Sequence, residues 1–345
     1  MSNIVVCADG TWNRPEEDLT TDQPSNVLKL ARGVSPGHGG IRQHVFYDWG
    51  LGSYHHQTSA GLAGRGIHKN IVDGYRYIVH NYAPGDRIYL FGYSRGAYTV
   101  RALCGLINNC GIIRVTEARL ITEAWQIYKS PEPDHHPNGA VAQAFREKNS
   151  HESRTVHFVG VWDTVGALGI PFSLMGLFDG DDEFYDTRMG ANIGTARHAL
   201  AIDERRQDFE PTLWQPRDGV DLKQIWFAGC HGDIGGGHAP DPDGACISDV
   251  AFSWMLGEAN DAGLRTEDHL GDLMTDGTLA QIHPSRTKLF RVRPALERTL
   301  DPDGFGTRLH PSVQKRFGSD DAYRPANLLR LVNKHDGNWD ILVGA

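Results

Sequence analysis

The sequence predicts an α/β protein built on a mostly parallel, doubly wound sheet with helical cap insertions, and three observations carry that expectation. Short runs rich in branched and aromatic residues end repeatedly in Gly, Asp or Ser: "NIVVCADG", "HVFYDWG", "RIYLFGYS", "TVHFVGVWD" and "KQIWFAGCHGD". Each is nearly continuous in apolar residues instead of alternating, as strands covered on both faces are. Segments of helical periodicity lie between them, and strands alternating with helices imply a parallel sheet.

The elements follow in order. In "GIHKNIVDGYRYIVHNYA", Ile67, Ile71, Tyr75, Ile78, Val79 and Tyr82 recur at three- and four-residue spacings, and "PGD" stops the helix before the next strand. After Ser94, the residues Ala97, Val100, Leu103, Cys104 and Ile107 keep helical spacing up to "NNCG". Residues 115–150 are polar, include "SPEPDHHPNG" and read as an excursion outside the sheet. A second excursion, 166–222, opens with "GALGIPFSLMGLF" and continues through "GANIGTARHALAIDERRQDFEPTLW". Both are expected to form cap insertions over a site. Neither has linker composition, so residues 1–345 are expected to be one domain.

Bulk properties exclude some functions. The 345 residues carry a formal net charge of -9, which leaves no basic stripe to neutralise nucleic-acid phosphates. No run approaches the roughly 18 apolar residues of a spanning helix. "MSNIVVCADG" lacks a basic start followed by a long apolar stretch, so no cleaved signal is expected. Five cysteines (Cys7, Cys104, Cys110, Cys230, Cys246) form no CxxC pair, which fits a reducing compartment better than a disulfide framework.

Gly92-x-Ser94-x-Gly96 matches the nucleophile-elbow pattern, in which a sharp strand-to-helix turn presents a serine. The bare triple is weak in a chain with 40 glycines. The preceding strand-like "RIYLF" and the following helical run strengthen it over a simple turn. The backbone N–H of Arg95 then opens a helix, where an oxyanion is favoured.

A serine hydroxyl needs a base, and the base a carboxylate, in the chain order Ser, Asp, His. Asp163 ends "TVHFVGVWD" and His231 ends "KQIWFAGCH", so both are expected at the carboxyl edge of the sheet, where open α/β sheets place their ligands. Asp163 also reads as a helix N-cap. His310, in "RLHPSVQKRF", is the reserve base.

Other motifs compete. In "CHGDIGGGH", His231, Asp233, His238 and nearby Asp241 are metal-binding residue types, but HExxH, zinc-finger and EF-hand spacings are absent. No metal or cofactor is therefore expected, and "DGDDEF" reads as an acidic surface loop. "YDWGLGS" lacks both the GxGxxG and the P-loop spacing. In "ADGTWN", the N–H of Gly10 or Thr11 is a candidate second oxyanion donor, while Asp9 equally reads as the closer of an Asx-turn. Leu168, Ile170, Phe172, Leu174, Met175, Leu177 and Phe178 are read either as an acyl-chain pocket or as the core of a small cap.

Six motifs in order, "ADGTWN", "GYSRGAYTVRALCGLI", "VGVWDTVGALG", "HALAIDERRQDFEPTLW", "WFAGCHGDIGGG" and "HPSVQKRF", make the chain resemble the DUF2235 family over roughly residues 3–318. That family includes the Tle1-type phospholipase effectors of bacterial type VI secretion. The resemblance implies an α/β-hydrolase fold and a Ser-Asp-His triad, carried onto Ser94, Asp163 and His231, with His310 in reserve because both histidines fall in family motifs. "GYSRG" stands where effectors commonly have "GFSRG", and the chain has almost no room for the effectors' extra membrane-anchoring modules. The expected function is hydrolysis of carboxylic esters by a serine esterase of phospholipase or lipase type. Its expected partner is a small-molecule or lipid ester, with at most peripheral membrane contact, in the cytoplasm or after export without a signal peptide. The alternatives are a catalytically silent binding module and a metal-dependent hydrolase using the 231–241 cluster.

Overall fold

A computed structural model describes residues 1–10, 13, 15–18, 22–49, 62–165, 189–272, 274–287, 292, 294–301 and 304–344. Among the described residues eight strands form one sheet: β1 Ser2–Ala8, β2 Gly37–His38, β3 Ile41–Asp48, β4 Arg87–Tyr93, β5 Val156–Trp162, β6 Ile193–Ala201, β7 Asp221–Phe227 and β8 Arg308–Leu309. Their order is β2-β3-β1-β4-β5-β6-β7-β8. Every neighbouring pair is parallel except β2 and β3. This is the α/β, mostly parallel sheet that the near-continuous apolar runs require.

The helices are α1 Asn26–Gly33, α2 Leu62–Asn81, α3 Arg95–Cys110, α4 Ala118–Tyr128, α5 Ala140–Asn149, α6 His231–Gly235, α7 Ser248–Asp261, α8 His269–Asp272, α9 Pro311–Ser319, α10 Ala326–Lys334 and α11 Trp339–Leu342. Alternate strand residues feed two cores, because successive side chains point to opposite faces. Ile4, Val6, Ile88 and Leu90 pack with Ile71, Tyr75, Leu103 and Ile107 of α2 and α3. Val5, Cys7, Tyr89 and Phe91 pack on the other side with Leu30 of α1 and Phe252 and Met255 of α7. A third cluster, with Trp226, Leu309, Val313 and Leu328, ties α9 and α10 to the β7 end.

The two excursions resolve differently. Residues 118–149 carry α4 and α5, whose Leu120, Trp125 and Phe145 join the core beside α3. In the second excursion, Ile193–Ala201 is a sheet strand hydrogen-bonded on both sides, to β5 and to β7, and no cap element. "IGTARHALA" is interrupted by Arg197 and His198, which broke the apolar run in the sequence. Both are buried: Arg197 by ion pairs to Asp221 and Glu258, His198 by contacts to Gln224 and the Thr164 amide. Residues 166–188, with the proposed acyl-pocket positions Leu168, Ile170, Phe172, Leu174, Met175, Leu177 and Phe178, lie outside the described residues.

Parallel pairing aligns the strand ends. Tyr93 stands opposite Trp162, Trp162 opposite Ala199, and Ala201 opposite Phe227. Whatever follows β4, β5 and β7 therefore emerges at one edge.

Candidate active site

The turn from β4 to α3 is sterically demanding. A Cβ on Gly96 would lie 1.9 Å from the Ala8 carbonyl oxygen of β1, and one on Gly92 would run into the Gly96 backbone. Only hydrogens at these two positions let helix and strand approach so closely. Between them Ser94 takes φ 57° and ψ -118°, a conformation a side-chain-bearing residue rarely adopts. Its amide is held by the Trp162 carbonyl at 3.1 Å. As N-cap of α3 it makes no side-chain capping bond, so Oγ is directed elsewhere.

It is directed at His231. Ser94 Oγ is 2.9 Å from His231 Nε2, and His231 Nδ1 is 2.6 Å from Asp163 Oδ2. The three residues come from the ends of β4, β5 and β7, and all are buried. Asp163 also has positive φ, 41°, and is no helix N-cap. Its amide is bound to the Ala199 carbonyl at 2.8 Å, and its Oδ1 accepts the Ala201 amide at 3.0 Å. With Nδ1–H donated to a carboxylate, Nε2 carries the lone pair that accepts the Ser94 hydroxyl proton.

Burial lowers the pKa of His231, against the opposing pull of Asp163, so the resting imidazole is neutral. The ring is packed between Tyr93, at 4.7 Å between centroids, and the edge-on Phe209 at 4.9 Å. Its backbone is fixed as well. Tyr93 OH donates to the His231 carbonyl at 3.1 Å, and the His231 amide donates to Glu204 Oε2 at 3.2 Å. Glu204 is fully buried and gripped by Arg206 through Nε and Nη2, at 2.9 and 2.7 Å.

Sequence reasoning missed Arg298. Its Nη1 donates to Asp163 Oδ1 at 2.6 Å and its Nη2 to Oδ2 at 3.0 Å, a two-pronged grip inside the protein. The same guanidinium bonds the carbonyls of Ala201, at 2.8 Å, and Phe209. Burial alone would raise the Asp163 pKa, but Arg298 and His231 together hold it far below the usual carboxylate range. Arg298 lies 135 residues after Asp163 in "ALERTL", which matches no motif. Its only sequence signal is an arginine with a leucine two residues away on each side, Leu296 and Leu300.

The remaining candidates fall as follows. His310 is the N-cap of α9: its Nδ1 accepts the Ser312 amide at 3.2 Å and its ring stacks on Phe227 at 4.6 Å. The geometry thus brings His231, and not His310, to Ser94. Arg95 is the first residue of α3, so its N–H belongs to the turn that has no acceptor within the helix. Gly10 lies against Ser94, but its N–H donates to Asp9 Oδ1 at 2.7 Å and is already committed. Asp9 is a buried node that also accepts from Asn13, Ser25 and Tyr47. Thr11 lies outside the described residues. The 231–241 cluster is split: His231 faces Ser94, while Asp241 accepts the Gln281 amide at 2.9 Å. The cluster as read from the sequence, with His231 as a ligand, does not form.

The fold and this geometry define an α/β-hydrolase-like protein. Residues 2–258 match the family described as type VI secretion phospholipase effector Tle1-like, catalytic domain, and the chain belongs to that family. Among curated proteins it is similar to the uncharacterized protein YEL023C of Saccharomyces cerevisiae, 28% identical over 236 residues, covering 62% of this chain and 33% of the relative. This chain thus spans about a third of that relative's length. Two solved structures are similar. One is an uncharacterized protein from Pseudomonas aeruginosa, with TM-score 0.49, 16% identity and coverage of 81% of this chain and 49% of the other. The second is the Tle1 effector bound to the VgrG spike of the type VI secretion system, with TM-score 0.39, 19% identity and coverage of 70% and 52%.

Proposed function

We propose that this protein is a serine hydrolase that cleaves carboxylic esters of lipids. The observation that carries the reading is the continuous chain Ser94 Oγ, His231 and Asp163, with links of 2.9 and 2.6 Å. In it His231 Nε2 takes the Ser94 proton as Oγ attacks the ester carbonyl, and Asp163 holds the Nδ1–H tautomer and offsets the imidazolium charge. The carbonyl oxygen becomes an oxyanion at the N-terminus of α3, near the Arg95 amide. His231 then protonates the departing alcohol. Water, deprotonated by the same nitrogen, releases the acid from Ser94.

Lipid as substrate rests on family membership, since the family is named for phospholipase effectors. Among the described residues no helix is long and apolar enough to cross a membrane.

The test is labelling with a fluorophosphonate probe beside Ser94→Ala, together with turnover of p-nitrophenyl esters of graded chain length and of phospholipid vesicles. Labelling and turnover lost together in the variant are expected, with an optimum at long acyl chains. Equal behaviour of wild type and variant would overturn the triad. A short-chain optimum with intact vesicles would keep the esterase and remove the lipid.

A further inference from the structure

One part of "CHGDIGGGH" is not used by the Ser94 site. Cys230, Asp233 and His238 form the spacing C-x2-D-x4-H around α6, the short helix that begins with His231. While His231 faces Ser94, one ligand atom each from Cys230, Asp233 and His238 lies within 4.8 Å of the others. His238 Nε2 is 3.9 Å from Asp233 Oδ1.

We propose that Cys230 Sγ, Asp233 Oδ1 and His238 Nε2 bind one divalent transition-metal ion of the Zn²⁺ class, distinct from the hydrolytic site and independent of it. The sequence offered a different set, His231, Asp233, His238 and Asp241, without a familiar ligand spacing, and did not include Cys230. The donor set is the argument. A sulfur, an imidazole nitrogen and one carboxylate oxygen suit Zn²⁺ and not Ca²⁺ or Mg²⁺, which take oxygen ligands. Zinc bonds of about 2.0–2.3 Å set tetrahedral ligand atoms roughly 3.3–3.7 Å apart, so the cluster closes with shifts of about 1 Å. Binding replaces the Cys230 S–H bond by an S–Zn bond and releases that proton to solvent.

Three further features fit a metal site. Asp233 has outer partners: His283 Nδ1 contacts its Oδ1 at 2.7 Å, and the amides of Cys230 and His283 donate to its Oδ2 at 2.9 and 3.0 Å. Such bonds orient a ligating carboxylate. The His238 ring is stacked on His283 at 4.0 Å and 7°, and it presses on the α6 backbone where Gly232 has no Cβ; an added one would lie 2.4 Å from Nε2. Access is one-sided: the Asp233 side chain is fully buried, while that of His238 is 39% exposed. An ion would enter past His238 and keep a fourth position toward water.

The test uses the full chain, stripped with chelator, desalted and titrated with Co²⁺ and then Zn²⁺. A thiolate-to-cobalt charge-transfer band in the near ultraviolet is expected, saturating at one equivalent and displaced by Zn²⁺. Cys230→Ser removes the band. The partly exposed His238→Ala, which keeps the metal-free melting temperature, weakens binding at least roughly 10-fold. Ser94→Ala titrates like wild type, which separates this result from the fate of the hydrolase reading. Absence of the band in wild type, or a band unchanged in both ligand variants, overturns the proposal.

Discussion

Arg298 grips Asp163 with both terminal nitrogens, at 2.6 and 3.0 Å, and both side chains are wholly removed from solvent. The carboxylate that contacts the His231 imidazole is thus itself held by a cation from a distant part of the chain. The arrangement costs desolvation of two charges, and breaking it from one side leaves the other buried and uncompensated.

Arg298→Ala is therefore expected to destabilise the protein by about 3–5 kcal/mol, and Arg298→Lys by less, because an ammonium keeps the charge but not the fork. Urea denaturation of the three proteins checks the order. Ester turnover should fall more in Arg298→Ala than in Arg298→Lys. Loss of stability with turnover per folded molecule unchanged would show that Arg298 does not position Asp163.

Acid stability follows from the same pair. The folded Asp163 carboxyl titrates well below its unfolded value of about 3.9, so its contribution is fully present above that pH and is lost as pH falls through the folded value. Urea midpoints measured downward from pH 7 should drop below about pH 4 in wild type, and less steeply in Asp163→Asn.

Asp203 carries the opposite sign. Burial, against bonds from the Gly229 amide and Tyr323 hydroxyl, raises its pKa to about 6. The neutral acid is favoured in the fold, so its contribution is fully present below about pH 3.9 and is lost as pH rises through about 6. Asp203→Asn, which keeps an acceptor for both donors, should flatten the stability profile between pH 4 and 7. An unchanged profile would refute the assignment.

Ser94 trades stability for geometry. Its left-handed φ costs roughly 1–3 kcal/mol, which glycine would not incur. Ser94→Gly is expected to unfold at higher denaturant than Ser94→Ala, while both lose about 10⁴-fold or more in ester hydrolysis. Equal midpoints would mean that the turn stores no strain.

Gly96→Ala tests the close approach beneath that turn. With a methyl group driven into the Ala8 carbonyl, a loss of about 3 kcal/mol or more is expected, and native-like thermal stability would contradict the packing.

Much of this architecture was legible in the sequence, for physical reasons that also explain what was not. Central strands such as "IVVCA" and "IYLF" are buried on both faces and must be apolar throughout, so they announce themselves. β6 escaped because it buries Arg197 and His198, whose partners Asp221, Glu258 and Gln224 lie elsewhere in the chain. Ser94, Asp163 and His231 were legible because each ends an apolar run at the same sheet edge. The strand-like run before His231 favoured it over His310, and the structure agrees in placement: His231 Nε2 lies 2.9 Å from Ser94 Oγ, while His310 caps α9. Arg298 was invisible because tertiary proximity, not local pattern, gives it its contact. Gly10 shows the reverse failure: a backbone donor in the right place was already taken by the side chain before it.

The family match ends at residue 258, whereas the cation that neutralises Asp163 sits at 298 and the helix capped by His310 follows it. A boundary drawn by sequence similarity therefore cuts through an electrostatic unit. A fragment trimmed to the matched segment would retain Ser94, Asp163 and His231 yet strand a buried anion, so the smallest self-sufficient piece of this chain reaches past the stretch that similarity alone marks out.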